Sequence, residues 1–305
     1  MNAPSASRWP RHRWWWLLAA GALLAALALV VATRGGDGPE QAPNRAFGSV
    51  ASPDDPALVW AVGDGGDGSD ASRRLADRIA TDRPARVLYL GDVYENGTRD
   101  EWRTRYAPVY DRLDAITAPT PGNHDWPNHD EGYDPYWRAV TGAPTPPWYS
   151  LRVGGWTLLS LNSEAPHDPG SPQLEWLRAE LGRIAGTCVL AFWHRPLQSA
   201  GSNGDQEDVA PLWDALRGRA PLVVNGHDHT LQRLRPRAGM TQYVVGAGGK
   251  SHYDVDEGDP RLEFSDDERD GALRMRLRPG RARLEIVATD GAILDTTSVD
   301  CEPRG

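Results

Sequence analysis

Polar side chains that can bind metal ions follow five apolar segments of the sequence, each where the segment ends. In chain order these residues are Asp64, Asp92, Asn123, His124, Asp125, His194, His227 and His229. Carboxylates, neutral imidazoles and an amide together form a donor set for the metal ions of hydrolytic sites. A single residue of this kind is usually part of a turn or of the core. Five segment ends with the same property indicate one shared metal site.

The apolar segments and the stretches between them predict alternating strands and helices. Strand-like runs cover residues 57–64, 87–92, 156–162, 188–194, 222–227 and 243–249. Helical patterns cover residues 69–81, 100–114, 172–184 and 207–216. Strands connected by helices favour a largely parallel sheet, and side chains at the carboxyl ends of such strands converge. Residues 272–296 have short strands with turns, which predicts an antiparallel closing section.

The motifs at these segment ends are specific enough to indicate a family. In order they are Gly63-Asp64-Gly65-Gly66, Gly91-Asp92-Val93-Tyr94, Gly122-Asn123-His124-Asp125, His194-Arg195-Pro196 and Gly226-His227-Asp228-His229. Over about residues 57–296 the chain resembles the calcineurin-like metallophosphoesterase superfamily, and within it the purple acid phosphatase branch. The resemblance implies an α/β fold, a four-layered α/β/β/α sandwich, with a dinuclear metal centre between strand ends.

The resemblance also gives a role to each residue of the motifs. One metal ion would be held by Asp64, Asp92 and His229. The second ion would be held by Asp92, Asn123, His194 and His227, so that Asp92 bridges the two ions. The two ions would be divalent or of mixed valence, with iron, manganese and zinc as candidates. They would activate a water for attack on phosphorus.

Residues next to the proposed ligands are expected to handle the substrate. Asn123 and His124 would contact the phosphate. His124 would stabilise the transition state or protonate the leaving group, with Asp125 as its orienting partner. Arg195 follows a proposed ligand, and the sequence leaves open whether it binds phosphate or forms an ion pair.

Three positions depart from the family pattern. Many relatives carry a histidine two places after the first aspartate, where this chain has Gly66. Purple acid phosphatases carry a tyrosine three places after the second aspartate, whereas Tyr94 lies two places after Asp92, so its role as a ligand stays open. Mammalian-type relatives carry a second acid histidine where this chain has Asn203, which leaves His124 as the better acid candidate.

Together, the motifs and the family resemblance predict an exported, dinuclear-metal phosphoesterase that acts on a small phosphorylated substrate and favours phosphomonoesters. The same metals would suit a nucleotide or nucleotide-sugar pyrophosphatase or phosphodiesterase. A phosphate-binding module with an inactive site is a third alternative, and the complete ligand set argues against it.

The N-terminus carries an apolar segment of membrane-spanning length. Arg8, Arg11 and Arg13 precede an uncharged run at residues 14–32, which would make a helix of about 28 Å. We expect a basic leader and transmembrane anchor helix at residues 1–33, with a signal cleaved near Ala32 as the alternative. Either places the body outside the cytoplasm, and an anchor would make the membrane a partner.

The remaining chain is expected to divide into three parts. These are a flexible linker at residues 34–56, a metallophosphoesterase domain at 57–298 and a C-terminal tail at 299–305. The 305 residues are 40% hydrophobic and 25% charged, with a formal net charge of −9. An acidic chain of this kind is not expected to bind nucleic acid. In an exported protein, Cys188 and Cys301 predict either one disulfide or a buried free thiol with a frayed Cys301.

Overall fold

The computed structural model describes residues 47–50 and 52–302 of the chain. The expected anchor at residues 14–32, the alternative cleavage point at Ala32 and the end of the predicted tail lie outside the described residues. Among the residues that are described, no helix is long and apolar enough to cross a membrane.

Strands of the described chain form two sheets. The strands of the six-stranded sheet are β1 (Ala57–Val62), β2 (Arg86–Tyr89), β3 (Thr117–Pro119), β11 (Gly271–Arg278), β12 (Arg281–Ala288) and β13 (Ile293–Asp300). The strands of the seven-stranded sheet are β4 (Tyr149–Val153), β5 (Trp156–Ser160), β6 (Cys188–Phe192), β7 (Leu222–Asn225), β8 (Leu231–Arg237), β9 (Met240–Val245) and β10 (Leu262–Asp266). The strand orders are β13-β12-β11-β1-β2-β3 and β10-β8-β9-β7-β6-β5-β4.

Helices connect the strands of the parallel parts. They are α1 (Asp70–Thr81), α2 (Arg99–Glu101), α3 (Ala107–Tyr110), α4 (Tyr133–Thr141), α5 (Pro172–Arg183) and α6 (Ala210–Leu216). A π turn at Trp102–Tyr106 joins α2 to α3, and 3₁₀ turns lie at Asp111–Ile116, Trp126–Asn128 and Glu207–Val209. Side-chain oxygens of Ser69, Thr98 and Ser171 cap the starts of α1, α2 and α5, because the first amides of a helix lack partners inside it.

The expectation of a largely parallel sheet holds only for one half of the six-stranded sheet, which ends at the edge strand β3, and for the centre of the seven-stranded sheet. β1, β2 and β3 are parallel to one another, and so are β5, β6, β7 and β9. The flanking pairs are antiparallel because short turns join β4 to β5, β8 to β9 and β11 to β12, and a short turn cannot make a parallel crossover. The antiparallel closing section predicted at 272–296 is confirmed, and β13 continues it to Asp300.

Alternate residues of the central strands face different layers. In β6, Leu190 and Phe192 belong to the apolar core shared with β1 and β2, whereas Val189 and Ala191 pack in a second core with α5 and α6. Both faces of such a strand are therefore buried, as its continuous apolar run indicates. Two sheets flanked by helices agree with the expected mixed α/β sandwich.

One disulfide joins the two sheets. Cys188 is the first residue of β6, and Cys301 follows β13, with their Cα atoms 5.8 Å apart. The bridge closes a loop between residues 113 positions apart, for which the chain-entropy model gives an upper value of about 4–5 kcal/mol. The structure thus decides between the two expectations for these cysteines in favour of the bridge.

The predicted linker at residues 34–56 is partly docked on the domain. Phe47 is buried, and its ring stacks on that of Tyr149 at 4.9 Å between centroids. Ser49 Oγ accepts a hydrogen bond from the Arg152 backbone N–H at 2.8 Å. Apolar burial and backbone pairing hold the described part of this segment on the domain, so folded structure extends to before β1.

Candidate metal centre

Three of the predicted ligand positions adopt a left-handed backbone conformation. Asp64, Asp92 and His227 have φ angles of 60°, 69° and 74°. A side chain at such an angle is strained by about 1–3 kcal/mol, and conformations of this kind concentrate at functional sites. This backbone conformation directs each side chain away from the preceding strand and toward a common space.

Glycines let the loops at the carboxyl ends of the strands approach one another closely. A Cβ atom on Gly122 would overlap Asp92 Oδ1, and one on Gly226 would lie 2.8 Å from Asp64 Oδ2. Any larger residue at either position would push a carboxylate out of place. This explains why glycine immediately precedes Asn123 and His227 in the motifs.

The predicted ligands come together at these exits. His194 Nε2 lies 3.3 Å from Asp92 Oδ2 and 3.0 Å from Asn123 Oδ1. His227 Nδ1 lies 3.2 Å from the same nitrogen of His194. On the other side, His229 Nε2 lies 3.5 Å from Asp64 Oδ1. Donor atoms of Asp64, Asp92 and His194, all three buried, lie within 4.8 Å of one another.

Backbone carbonyls orient two of the imidazoles for metal binding. His194 Nδ1 lies 2.8 Å from Leu90 O, and His229 Nδ1 lies 2.8 Å from Ser251 O. Donation from Nδ1–H to these carbonyls directs Nε2 at the carboxylates, where a metal ion that displaces the Nε2 proton would find the lone pair. The cluster therefore fits metal ions both in its donor chemistry and in its hydrogen bonding.

The buried carboxylates of the cluster stabilise positive charge nearby, as the pKa shifts of the neighbouring groups indicate. Burial opposes the charged form of His194, but the Asp92 carboxylate outweighs it and raises the pKa of His194 to about 10. Burial likewise opposes ionisation of Asp92, and His194 nevertheless holds the Asp92 pKa below its usual range. Burial and the positive charge of His194 lower the pKa of His227 to about 3. Two buried carboxylates thus favour a nearby cation.

Tyr94 enters the cluster despite its unusual spacing. Its hydroxyl donates to Asp64 Oδ1 at 2.6 Å and lies 2.8 Å from His229 Nε2. A Cβ atom on Gly66 would lie 2.7 Å from the Tyr89 hydroxyl, so this chain has no room for the histidine of its relatives there. Burial, followed by the charges of Asp64 and Asp92, raises the pKa of Tyr94 well above its ordinary value.

The position of Asp125 corrects its expected role as the orienting partner of His124. Its buried carboxylate accepts hydrogen bonds from the backbone amides of Asp92, Val93 and Gly122, at 2.8, 3.0 and 2.9 Å. Burial and the Asp92 charge raise the pKa of Asp125 to about 7, and the amides oppose this shift. Asp125 therefore fixes the loops that carry the predicted ligands.

His124 lies at the mouth of the cluster and is oriented by a backbone carbonyl. Its Nδ1 lies 2.6 Å from Glu95 O, and its Nε2 lies 3.9 Å from Asp92 Oδ2. Its side chain is one-third exposed, in contrast to the buried His194. Nε2, the ring nitrogen that does not contact Glu95 O, is therefore available to a molecule that enters from solvent.

Arg195 and Asn203, which the sequence analysis also considered, both contact other groups of the protein. Arg195 forms ion pairs with Glu164 at 3.2 Å and Asp208 at 3.1 Å, which is the second of the two expectations for this residue. Asn203, at the position of the second acid in relatives, donates through Nδ2 to His227 O at 3.1 Å.

The loop after β9 contacts the site through Lys250, Ser251 and Tyr253, to which the sequence analysis gave no role. Besides Ser251 O, it supplies Tyr253, whose ring stacks on His229 at 4.1 Å between centroids. Lys250 Nζ lies 4.3 Å from the centroid of the Tyr94 ring. The glycines of the segment Val245–Tyr253, at another strand end, were the available signal.

Comparison with known proteins agrees with this fold. The sequence profile of calcineurin-like phosphoesterases matches residues 57–231, more than half of the chain and the whole range from Asp64 to His229. The chain belongs to the calcineurin-like phosphoesterase family. Its matched relatives confirm the resemblance to purple acid phosphatases.

The curated relatives include phosphatases and a phosphodiesterase. Tartrate-resistant acid phosphatase type 5 of Rattus norvegicus is 28% identical over 159 residues, which cover 48% of each chain. Purple acid phosphatase 21 of Arabidopsis thaliana is 25% identical over 208 residues, 59% of this chain and 47% of that protein. A probable cyclic nucleotide phosphodiesterase of Rhodococcus erythropolis is 31% identical over 185 residues, 53% of this chain and 59% of that protein. The chain spans about half the length of the curated relatives it matches.

Solved structures share the fold. GAP50, described as the anchor in the inner membrane complex of Plasmodium, has a TM-score of 0.69 at 15% identity, covering 82% of this chain and 90% of its own. Purple acid phosphatase PPD1 from yellow lupin has a TM-score of 0.66 at 19% identity, covering 85% of this chain and 55% of its own.

The role of Asp125 predicts a loss of stability in Asp125→Asn. An amide nitrogen in place of one oxygen would face a buried backbone N–H, and an unsatisfied donor costs about 1–3 kcal/mol. We expect a loss of that size in the free energy of unfolding, measured with urea. The control is Asp130→Asn in the second Asn-His-Asp motif, an exposed position where we expect a change within about 0.5 kcal/mol. Equal free energies of unfolding for Asp125→Asn and Asp130→Asn would contradict the role assigned to Asp125.

Proposed function

We propose that this phosphoesterase uses two metal ions to hydrolyse small phosphate esters and prefers phosphomonoesters. The observation that carries the proposal is the convergence of two carboxylates, an amide and three imidazoles at the exits of separate strands. Family membership gives the reaction class. Donor atoms of Asp92 lie within 4.8 Å of those of Asp64 and His194, one ligand from each proposed set, which supports a bridging role for Asp92.

The ligand sets proposed for the two ions are the following. Asp64, Asp92 and His229 would hold one ion, with Tyr94 as a further candidate ligand; Asp92, Asn123, His194 and His227 would hold the other. Iron, manganese and zinc are all compatible with carboxylate and imidazole donors. Bound ions would supply the positive charge that binds phosphoryl oxygens and lowers the pKa of an attacking water.

The remaining groups of the site would act on the substrate. His124 is exposed enough to reach a leaving oxygen, and its Nδ1 contact with Glu95 O fixes which nitrogen faces the substrate. Asn123 would contact the phosphate from the same loop. Asp125 would not contact the substrate. It would position the ligands, since its carboxylate binds backbone amides of both this loop and the Asp92 loop.

Phosphodiester hydrolysis is the second candidate. The relative from Rhodococcus erythropolis, named a probable cyclic nucleotide phosphodiesterase, has the highest identity of the three relatives described above. The donor set at the strand exits would serve either reaction, because both require attack of water on phosphorus.

Turnover of paired substrates tests the proposal. We expect metal-loaded protein to hydrolyse p-nitrophenyl phosphate faster than bis(p-nitrophenyl) phosphate, and chelation to abolish both activities. Faster cleavage of the diester and of a cyclic nucleotide would favour the second candidate. A purified, metal-loaded protein that cleaves none of these would contradict a phosphoesterase function.

His124→Ala tests the leaving-group acid. A positioned acid is worth about 10²–10⁴-fold, and an alkoxide needs the proton more than the stable p-nitrophenolate does. We therefore expect a loss in this range on an alkyl phosphate and a much smaller loss on p-nitrophenyl phosphate, with unchanged metal content. The control is His129→Ala, since His129 stacks on Trp126 and pairs with Asp134. Equal losses on both substrates would assign His124 to charge stabilisation instead.

We also propose that the domain is exported and tethered through residues 14–32, on the basis of their uncharged apolar sequence after three arginines. Fractionation of cells that express the full chain tests this. We expect the protein in the membrane fraction, with its body accessible to protease from outside. Recovery in the cytosol would contradict the proposal, and release into the medium would favour cleavage near Ala32.

A further inference from the structure

The sequence contains a single lysine, and that lysine lies at the metal centre. Lysine and arginine together number 33, and Lys250 is the only lysine among them. Its side chain is 21% exposed, and its Nζ lies 4.3 Å from the centroid of the Tyr94 ring. Lysine differs from arginine in carrying a compact charge with three freely rotating donors. A chain that otherwise uses arginine has its one compact ammonium beside the proposed ligands.

Lys250 lies on the same side of the site as His124. Glu95 connects the two: its backbone carbonyl contacts His124 Nδ1 at 2.6 Å, and its carboxylate forms an ion pair with Lys250. The rings of Tyr94 and His124 are 4.6 Å apart between centroids. Since His124 is the proposed acid for the leaving group, Lys250 lies on the leaving-group side.

Glu95 is a partner that a substrate can replace. Its side chain is 54% exposed, whereas that of Lys250 is 21% exposed. Ion pairs with such an exposed carboxylate are weak in water. A phosphate group carries more negative charge and more acceptor oxygens, and it forms stronger charge-assisted hydrogen bonds with an ammonium.

We infer that Lys250 is a specificity residue that binds a negatively charged leaving group, so that among substrates with a monosubstituted terminal phosphate it favours diphosphates, such as a nucleoside diphosphate or inorganic pyrophosphate, over phosphomonoesters with a neutral leaving group. The inference rests on the proposed phosphoesterase function and narrows its substrate class. Water forms a new bond to the terminal phosphorus and releases one proton to solvent, and the bond from that phosphorus to the bridging oxygen breaks. The bridging oxygen keeps the electron pair and takes a proton from His124. The second phosphate leaves with the charge that Lys250 contacts.

Binding of non-hydrolysable ligands tests the inference without turnover. By calorimetry on metal-loaded protein, we expect Lys250→Met to weaken the binding of methylenebisphosphonate by about 10–100-fold, the range for one hydrogen bond to a charged group. Phenylphosphonate, which lacks the second anion, should change less than about threefold. Glu95→Gln removes the competing carboxylate and should strengthen methylenebisphosphonate. Arg217→Met is the control for loss of one charge, since Arg217 pairs with Asp214 on the surface.

The single lysine also permits a chemical test. An amine-reactive ester can modify only Lys250 and the α-amino group, and methylenebisphosphonate should protect Lys250 from it while phenylphosphonate does not. Modification should abolish pyrophosphate hydrolysis more strongly than p-nitrophenyl phosphate hydrolysis.

Equal losses of both ligands in Lys250→Met, or weaker bisphosphonate binding in Glu95→Gln, would overturn the inference and assign Lys250 to supporting the Tyr94 ring. The two proposals can fail separately. A protein that hydrolyses p-nitrophenyl phosphate but shows no selective effect at Lys250 contradicts only this inference. A protein that hydrolyses nothing contradicts the proposed function itself.

Discussion

Buried carboxylates that accept backbone amides hold the site together. Asp125 receives three amides from the loops after β2 and β3, and Asp64 Oδ2 receives the His227 amide at 2.8 Å, which joins the two sheets. Charge-assisted hydrogen bonds of this kind are strong in a dry interior. They offset the strained backbone at Asp64, Asp92 and His227. The ligand geometry therefore depends on amide contacts as much as on the ligands themselves.

The two sheets are joined at both ends of β6. At its start, Cys188 is bonded to Cys301 after β13. Beyond its other end, His194 contacts Leu90 O of the first sheet's β2 exit and faces Asp92. A covalent bond thus fixes one end of the interface between the sheets, while the charged cluster occupies the other. Metal ions bound there would add to the stability of the folded chain, because they bind only the assembled site.

Strand positions and candidate ligands could be predicted from the sequence because both depend on local patterns. Apolar runs mark buried strands, and polar residues such as Asp64 and His194 follow the carboxyl ends of strands in the two sheets, where they converge. The antiparallel pair β11–β12 was predicted because its turn is visible in the sequence, whereas the direction of β4 and β8 depends on turns that the apolar pattern did not resolve.

Other features depend on distances between loops, which sequence spacing does not give. Tyr94 contacts Asp64 where the chain turns at Asp92 with a positive φ, a placement that its separation of two residues left open. Asp125 stands next to His124 in sequence but points to buried amides. Lys250 approaches Tyr94 from a loop more than a hundred residues away.

The most direct test of the account is the metal content of the folded protein and of Asp92→Asn. Elemental analysis with X-ray absorption or anomalous scattering gives both the number of ions and their separation. The account predicts two ions about 3.5–4 Å apart in the wild-type protein. It predicts loss of at least one ion in an Asp92→Asn variant whose circular dichroism shows it to be folded. A single ion in the wild-type protein, or two ions retained by the folded variant, would contradict it.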